Sequence, residues 1–267
     1  MEKKKKAGII FYIRLILLIV CIIGIVVSSI WLIGYMNDRK GYDDSVKEAG
    51  DFVLIHEETV TIPVSSGDGE EKKEQYTFDG LDIDFESLCK KNPDIVGWIY
   101  IPGTDISYPI VQSDDNIHYL TRNAMGKKND HGAIFMDCAN TFGFNDAKTV
   151  IYGHRMNDGT MFAQLLNYTS QQYYEAHKFG VIYTPYGNYL FVIIGGGETD
   201  AKKQTHAVYH TVSGDYKAHI EELLSESLFS TKVTFTGEEK TVMLSTCVRW
   251  NDSKRFFLLG VLIPFET

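Results

Sequence analysis

The 267-residue sequence predicts a mainly β fold: a closed or nearly closed barrel decorated with several short helices and preceded by one N-terminal transmembrane helix. Two observations carry this. From Ile95 onward, short apolar runs of strand type recur, bounded by Pro, Gly, Asn and Asp, and helical spacing returns only briefly between them. Ahead of them, Leu15–Tyr35 runs 21 residues without a formal charge, long enough to span a bilayer.

The N-terminal run is longer than the apolar core of a cleaved signal peptide and lacks a small-residue cleavage site, so it reads as a retained anchor. Lys3–Lys6 and Arg14 precede it, against Arg39 and Lys40 after it. That bias places residues 1–14 in the cytoplasm, 15–35 in the membrane and the remainder outside. Residues 36–80 carry less pattern. Tyr42–Ile55 suits a short helix, and the charged, glycine-containing stretch Ser65–Glu74 reads as a flexible linker or exposed loop. A compact domain is expected over residues 81–267, enough chain for one sizeable core.

Within that domain Asp84–Lys91 reads as a short helix and Ile95–Ile101 as a buried strand closed by Pro102 and Gly103. Ile106–Val111 follows as a strand, and Asp115–Leu120 as a turn of helix. Gly132–Met136 and Thr149–Tyr152 are further strands, and Met161, Phe162, Leu165 and Leu166 return to helical spacing. Val181–Tyr183 and Tyr189–Ile194 flank Pro185-Tyr-Gly-Asn188, a hairpin with its turn chemistry written in. Tyr216, Ile220, Leu223 and Leu224 mark a helix, and Val233–Phe235 a strand. Thr241–Phe257 then reads as strand, polar loop and strand.

Charge narrows the function. Of 26 basic and 35 acidic residues the first 40 positions hold seven and two, leaving the rest at 19 and 33, a net of −14. An acidic ectodomain argues against a nucleic-acid partner. Beyond Cys21 in the apolar run, Cys89, Cys138 and Cys247 are an odd number, so at least one thiol is free. No spacing among them resembles a metal-binding C-x-x-C.

The stretch Thr241–Phe257 sets Cys247 at the mouth of one strand and Arg255 at the mouth of the next. A thiol with a free pKa of about 8.5 becomes a useful nucleophile beside groups that favour its thiolate, and a fixed cation is one. Thr149–Tyr152 ends in Gly153 and His154, which puts an imidazole at a strand mouth as well. A histidine that takes and returns a proton near neutral pH serves the leaving group of a thiol nucleophile. Most of the remaining histidines, among them His56, His177, His206 and His219, read as ordinary surface residues.

These residues resemble the sortase family. Leu244-Ser-Thr-Cys247 with Arg255 eight residues on is similar to the sortase cysteine signature, Met243 standing where that signature carries threonine. Tyr152–Phe162 resembles the histidine segment of class B sortases, and Ile106–Val111 and Gly132–Asp137 resemble two further segments of that class. The resemblance covers Leu81 to Phe265. It implies an eight-stranded sortase-type barrel and a membrane-anchored transpeptidase that requires no metal or organic cofactor. Such an enzyme cleaves a C-terminal sorting signal after threonine through a thioester and attaches the surface protein to a peptidoglycan amine. It implies Cys247 as nucleophile, His154 as proton donor to the departing amine, and Arg255 on the oxyanion or the substrate backbone, in preference to Arg249. By position, Asn116, Leu120 and Ser245 would bind the signal, with Thr205–Val212 as a further wall. A cysteine hydrolase, a pilin-polymerising sortase and a non-enzymatic surface module are the alternatives left open.

Overall fold

The computed structural model describes residues 2–65, 71–200, 206–247 and 254–265. Two compact units result, Met1–Asp44 and Ser45–Thr267. Helix α1 (Glu2–Gly50) begins in the first and ends in the second. Its stretch from Phe11 on is long and apolar enough to cross a membrane.

The second unit opens with a hairpin of β1 (Val53–Ser65) and β2 (Glu71–Ile83). The stretch read as a short helix is helical through Gly50, as the end of α1, and only its last residues, 53–55, belong to β1; β2 begins inside the stretch read as a linker, whose residues 66–70 lie outside the described residues. In β1 the buried positions Glu58, Val60, Ile62 and Val64 alternate with the exposed Thr59 and Thr61 and the partly exposed Pro63, the period-2 pattern of a half-buried strand. In β2 the pattern is masked, because the inward row is Glu74, Tyr76, Phe78 and Gly80. The charge in that row is compensated: Lys178 Nζ lies 3.2 Å from Glu74, whose carboxylate also accepts from Tyr76. These partners hold Glu74 below the usual carboxylate range.

Helix α2 (Phe85–Lys91) follows, its N-cap Asp84 accepting the Ser87 N–H at 2.9 Å. Eight strands then close a barrel: β3 (Ile95–Tyr100), β4 (Ser107–Val111), β5 (Ile134–Met136), β6 (Lys148–Tyr152), β7 (Phe179–Tyr183), β8 (Asn188–Asp200), β9 (Thr241–Cys247) and β10 (Lys254–Phe265). Their order around the barrel is β10-β8-β7-β3-β4-β5-β6-β9, and β9 pairs with β10 to close it. The pairs β4/β5 and β6/β9 are parallel and the rest antiparallel. Short 3-10 helices at His118–Leu120 and Phe162–Thr169, with α3 (Gln171–Ala176) and α4 (Gly214–Ser225), decorate the barrel. The sequence-predicted closed barrel with short helices is thus observed, with eight strands.

Packing explains why the signature strands read as unbroken apolar runs. Every residue of Thr241–Thr246 and of Phe256–Leu259 is buried, so neither face of β9 or β10 meets water there. The connection from β8 to β9 covers one of these faces: Tyr216 of α4 donates to Thr241 Oγ1 at 3.3 Å and to the Glu239 carbonyl. The expected strand at Val233–Phe235 does not form. Those residues have no strand partner among the described residues, and Val233 and Phe235 pack instead against the core, Phe235 edge-on to Tyr216 at 6.0 Å.

Candidate active site

Register brings the sequence-predicted residues together. In the antiparallel pair β9/β10, Cys247 and Arg255 are direct partners, adjacent positions across the ladder. In the parallel pair β6/β9, Tyr152 is the partner of Ser245, and the Gly153 N–H extends the ladder to the Ser245 carbonyl at 3.1 Å. His154 follows Tyr152 by two residues, as Cys247 follows Ser245. Three neighbouring strands therefore deliver His154, Cys247 and Arg255 to the same end of the barrel.

The turn carrying His154 is tight and pinned. A Cβ on Gly153 would lie 2.5 Å from Ile134 Cδ1 and 2.6 Å from Phe162 Cδ2, so the close strand exit requires glycine. The Phe162 N–H returns to the His154 carbonyl at 2.9 Å, and Arg155 bridges to Met161. Met161 itself has φ +57°, and its N–H donates to the Tyr108 hydroxyl at 3.1 Å. Further along, Asp158 lies 3.3 Å from the buried His131.

The His154 Nε2–H donates to the Leu120 carbonyl at 2.7 Å. A carbonyl only accepts, so in the neutral ring Nδ1 holds the lone pair and is the atom able to exchange a proton. Leu120 ends the helical turn His118–Leu120, whose first N–H groups, Ile117 and His118, donate to Asp115 Oδ1 at 2.8 and 2.7 Å. From beneath, Gly132 at φ +63° packs where a Cβ would strike the Tyr119 and Leu120 carbonyls. The sequence reading expected Leu120 to bind the signal; in the structure its carbonyl holds His154.

The other expected site residues fall as follows. Asn116 is half-buried and accepts the Cys138 N–H at 2.8 Å, which ties it to the segment after β5. Ser245 is 1% exposed, its hydroxyl 2.7 Å from His206 Nε2. Thr205 and Arg249 lie outside the described residues.

Two histidines read as surface residues are otherwise placed. His206 is half-buried, its ring 5.7 Å from that of Tyr152 at 30°, and Tyr152 donates to Asp137 Oδ2 at 2.7 Å. Burial, with Lys148 and Arg255 nearby, pushes His206 down to about 4. Burial and the Asp137 partner raise the Tyr152 phenol. His219 of α4 lies 2.7 Å from Nζ of the fully buried Lys148, which burial lowers to about 7. Neither contact has a local sequence signal, since the partners stand 39 and 71 residues apart.

A cysteine in register with an arginine, with a histidine at the end of the adjoining strand, is a set of groups that can carry cysteine acyl transfer. Comparison with known proteins narrows that class. A sortase-domain family profile matches residues 99–262. Sortase B of Listeria monocytogenes is 30% identical over 244 residues, covering 91% of this chain and 94% of that protein. The crystal structure of a Staphylococcus aureus sortase B–substrate complex superposes with a TM-score of 0.65 at 32% identity, covering 68% of this chain and 85% of that one. A crystal structure of sortase B complexed with triglycine gives a TM-score of 0.64 at 32% identity, covering 68% and 86%. The chain belongs to the sortase family. Within it, it is a class B enzyme, a cysteine transpeptidase that anchors surface proteins.

Proposed function

We propose that Cys247, His154 and Arg255 carry the transpeptidation and that this chain works on a sorting signal outside the cell membrane. The observation that carries the assignment is the register: Cys247 and Arg255 are direct strand partners, with His154 at the end of the adjoining strand. The Cys247 thiolate attacks the carbonyl carbon of the signal's threonine, and Arg255 offers its fixed, always-charged fork to the oxyanion or the flanking peptide backbone. As the C–N bond breaks, His154 gives the proton on Nδ1 to the departing amine. The thioester is then resolved by an incoming amine, which loses a proton to the same nitrogen and releases the thiolate. Asn116 and Leu120 line the groove for the signal, and Ser245 belongs to its wall.

A sortase B solved with its substrate and another solved with triglycine support a peptide donor and a glycine amine as acceptor, the latter as part of a peptidoglycan precursor or cross-bridge. The apolar stretch of α1 supports a single-pass anchor, and Lys3–Lys6 and Arg14 support a cytoplasmic N-terminus. Incubating the full chain in detergent micelles with a library of fluorogenic pentapeptides, with and without triglycine, tests the reaction. Transpeptidation gives peptide–triglycine products that rise with acceptor concentration; free acid alone would make the enzyme a hydrolase. Protease added to intact protoplasts tests topology: it should digest the domain and leave a membrane stub, whereas full protection would reverse the orientation.

A further inference from the structure

Two segments hold His154. The first is the turn Asn129–Gly132. The Asn129 and Ala133 N–H groups donate to the Thr121 and Tyr119 carbonyls, each at 3.0 Å, on either side in sequence of the Leu120 carbonyl that receives the His154 ring. Gly132 packs so closely that a Cβ there would lie 2.9 Å from His154 Cδ2. The second segment is the loop 155–161, which the Phe162 N–H closes onto the His154 carbonyl. One contact joins the two. Residues 157–159 form the exposed tip of the loop, yet the Asp158 side chain turns inward and is only 13% exposed. Its Oδ1 accepts the Thr160 N–H and hydroxyl at 3.1 and 2.7 Å, and its Oδ2 lies 3.3 Å from Nε2 of His131, itself 2% exposed. A carboxylate only accepts, so Nε2 carries the proton of this bond. Taking an imidazole and a carboxylate out of water costs free energy unless each meets a partner, and here they meet across 27 residues of chain.

We propose that His131 and Asp158 are positioning residues of the transpeptidation: their contact fastens the loop 155–161 to the turn Asn129–Gly132 and so holds the His154 ring in line with the bond being broken. The inference rests on the proton-transfer role given to His154 above. The ring is restrained from the Leu120 and Gly132 side, whereas its main chain is restrained by the loop. Any slip between the two segments therefore turns the ring relative to its own backbone, and a donor displaced by about 1 Å can cost on the order of 100-fold in rate. The consequence is confined to the step that needs a proton. When the thiolate displaces an amine, the C–S bond forms, the C–N bond breaks and the departing nitrogen must take a proton from His154. When it displaces the thiol of a thioester, the leaving group departs as a thiolate and needs none.

The test uses the full chain in detergent micelles, on a background of Cys21→Ala, Cys89→Ala and Cys138→Ala, with the peptide selected from the library and a version whose scissile amide is replaced by a thioester. Single-turnover acylation is followed by intact mass, the reactivity of Cys247 by a methanethiosulfonate reagent, and folding by circular dichroism. His131→Ala removes one partner from the buried side. Asp158→Ser removes the other from the exposed tip; its hydroxyl can still cap the Thr160 N–H but is too short to reach His131. Each should slow acylation by the amide peptide roughly 10- to 100-fold and acylation by the thioester by less than about threefold. His131→Gln, whose amide nitrogen can occupy the Nε2 position, should recover the amide rate to within about threefold of wild type. Modification of Cys247 should keep the wild-type rate throughout. An unchanged amide rate in Asp158→Ser overturns the proposal, whether or not His131→Ala folds. So does an equal loss on amide and thioester, which would mean that the pair supports the groove or the fold and not the proton donor. Failure of the underlying reading looks different: a wild type with a reactive Cys247 that forms no acyl-enzyme from either peptide, or a His154→Ala variant acylated by the amide at the wild-type rate, refutes the roles given to those residues, and the proposal with them.

Discussion

Replacing Gly153 by alanine tests whether the turn after β6 sets the position of His154. The added methyl carbon would sit 2.5 Å from Ile134 Cδ1 and 2.6–2.7 Å from two ring carbons of Phe162. Ile134 is 1% exposed and Phe162 is fully buried, so neither can swing into solvent to relieve the contact. Overpacking of this kind costs about 1–3 kcal/mol, and for a domain of this size each kcal/mol moves the melting temperature by about 2–4 °C. A fall of roughly 2–12 °C by circular dichroism is expected. Activity should fall further than stability, because Phe162 is bonded to the His154 carbonyl and a displacement of about 1 Å can cost on the order of 100-fold in rate. Gly159→Ala is the control: it lies in the same loop at φ +86° with nothing within 4 Å, so it carries only backbone strain of about 1–2 kcal/mol. If Gly153→Ala matches wild type in both melting temperature and peptide cleavage, the tight exit does not position the histidine and the reasoning fails.

Two further perturbations separate charge from proton transfer. Arg255→Lys should lose roughly 100- to 1000-fold in kcat, the scale for one oxyanion donor, and keep the shape of the pH–rate profile. His154→Ala should lose more and change that shape; the reverse pattern would exchange the two roles. Lys148→Met probes the buried amine. The unfolded lysine holds its proton to its ordinary 10.5 and the folded one only to about 7, so between these values unfolding takes up a proton and stability rises with pH by about 1.4 kcal/mol per unit. The variant should melt higher at pH 7 and lose that rise between pH 7 and 9 in a thermal scan. A lower melting temperature with the slope intact would show that Lys148 is charged in place.

How much of this was legible in the sequence followed from which side chains faced what. Both faces of β9 and β10 are covered, so their apolar runs were unbroken, and the cysteine and arginine at their ends stood out. The strand before His154 was legible for the same reason, Lys148 excepted: a charged residue reads as lying ahead of an apolar strand, and here it is the first residue of the strand and fully buried. The β1–β2 hairpin was missed because Glu74 occupies an inward position, stabilised by Lys178, a partner 104 residues away. Val233–Phe235 has strand composition and packs Val233 and Phe235 against the core, but no neighbouring edge among the described residues offers a ladder. His206 owes its place to the β8–β9 connection folding back over Ser245, a contact with no periodicity to announce it. The N-terminal helix was read in two pieces, the apolar run to Tyr35 and a short helix from Tyr42, whereas it continues unbroken through the polar residues between them to Gly50.

The central claim is that Cys247 carries the acyl group, and intact-mass analysis of the full chain tests it most directly. Incubated with the selected sorting peptide and no amine, the wild type should gain the mass of the peptide's N-terminal fragment through threonine. Peptide mapping should place that mass on Cys247, and triglycine should remove it as a peptide–triglycine product. Cys89→Ala and Cys138→Ala should form the adduct normally, and Cys247→Ala should form none. An adduct on another residue, or turnover by Cys247→Ala, would contradict the account.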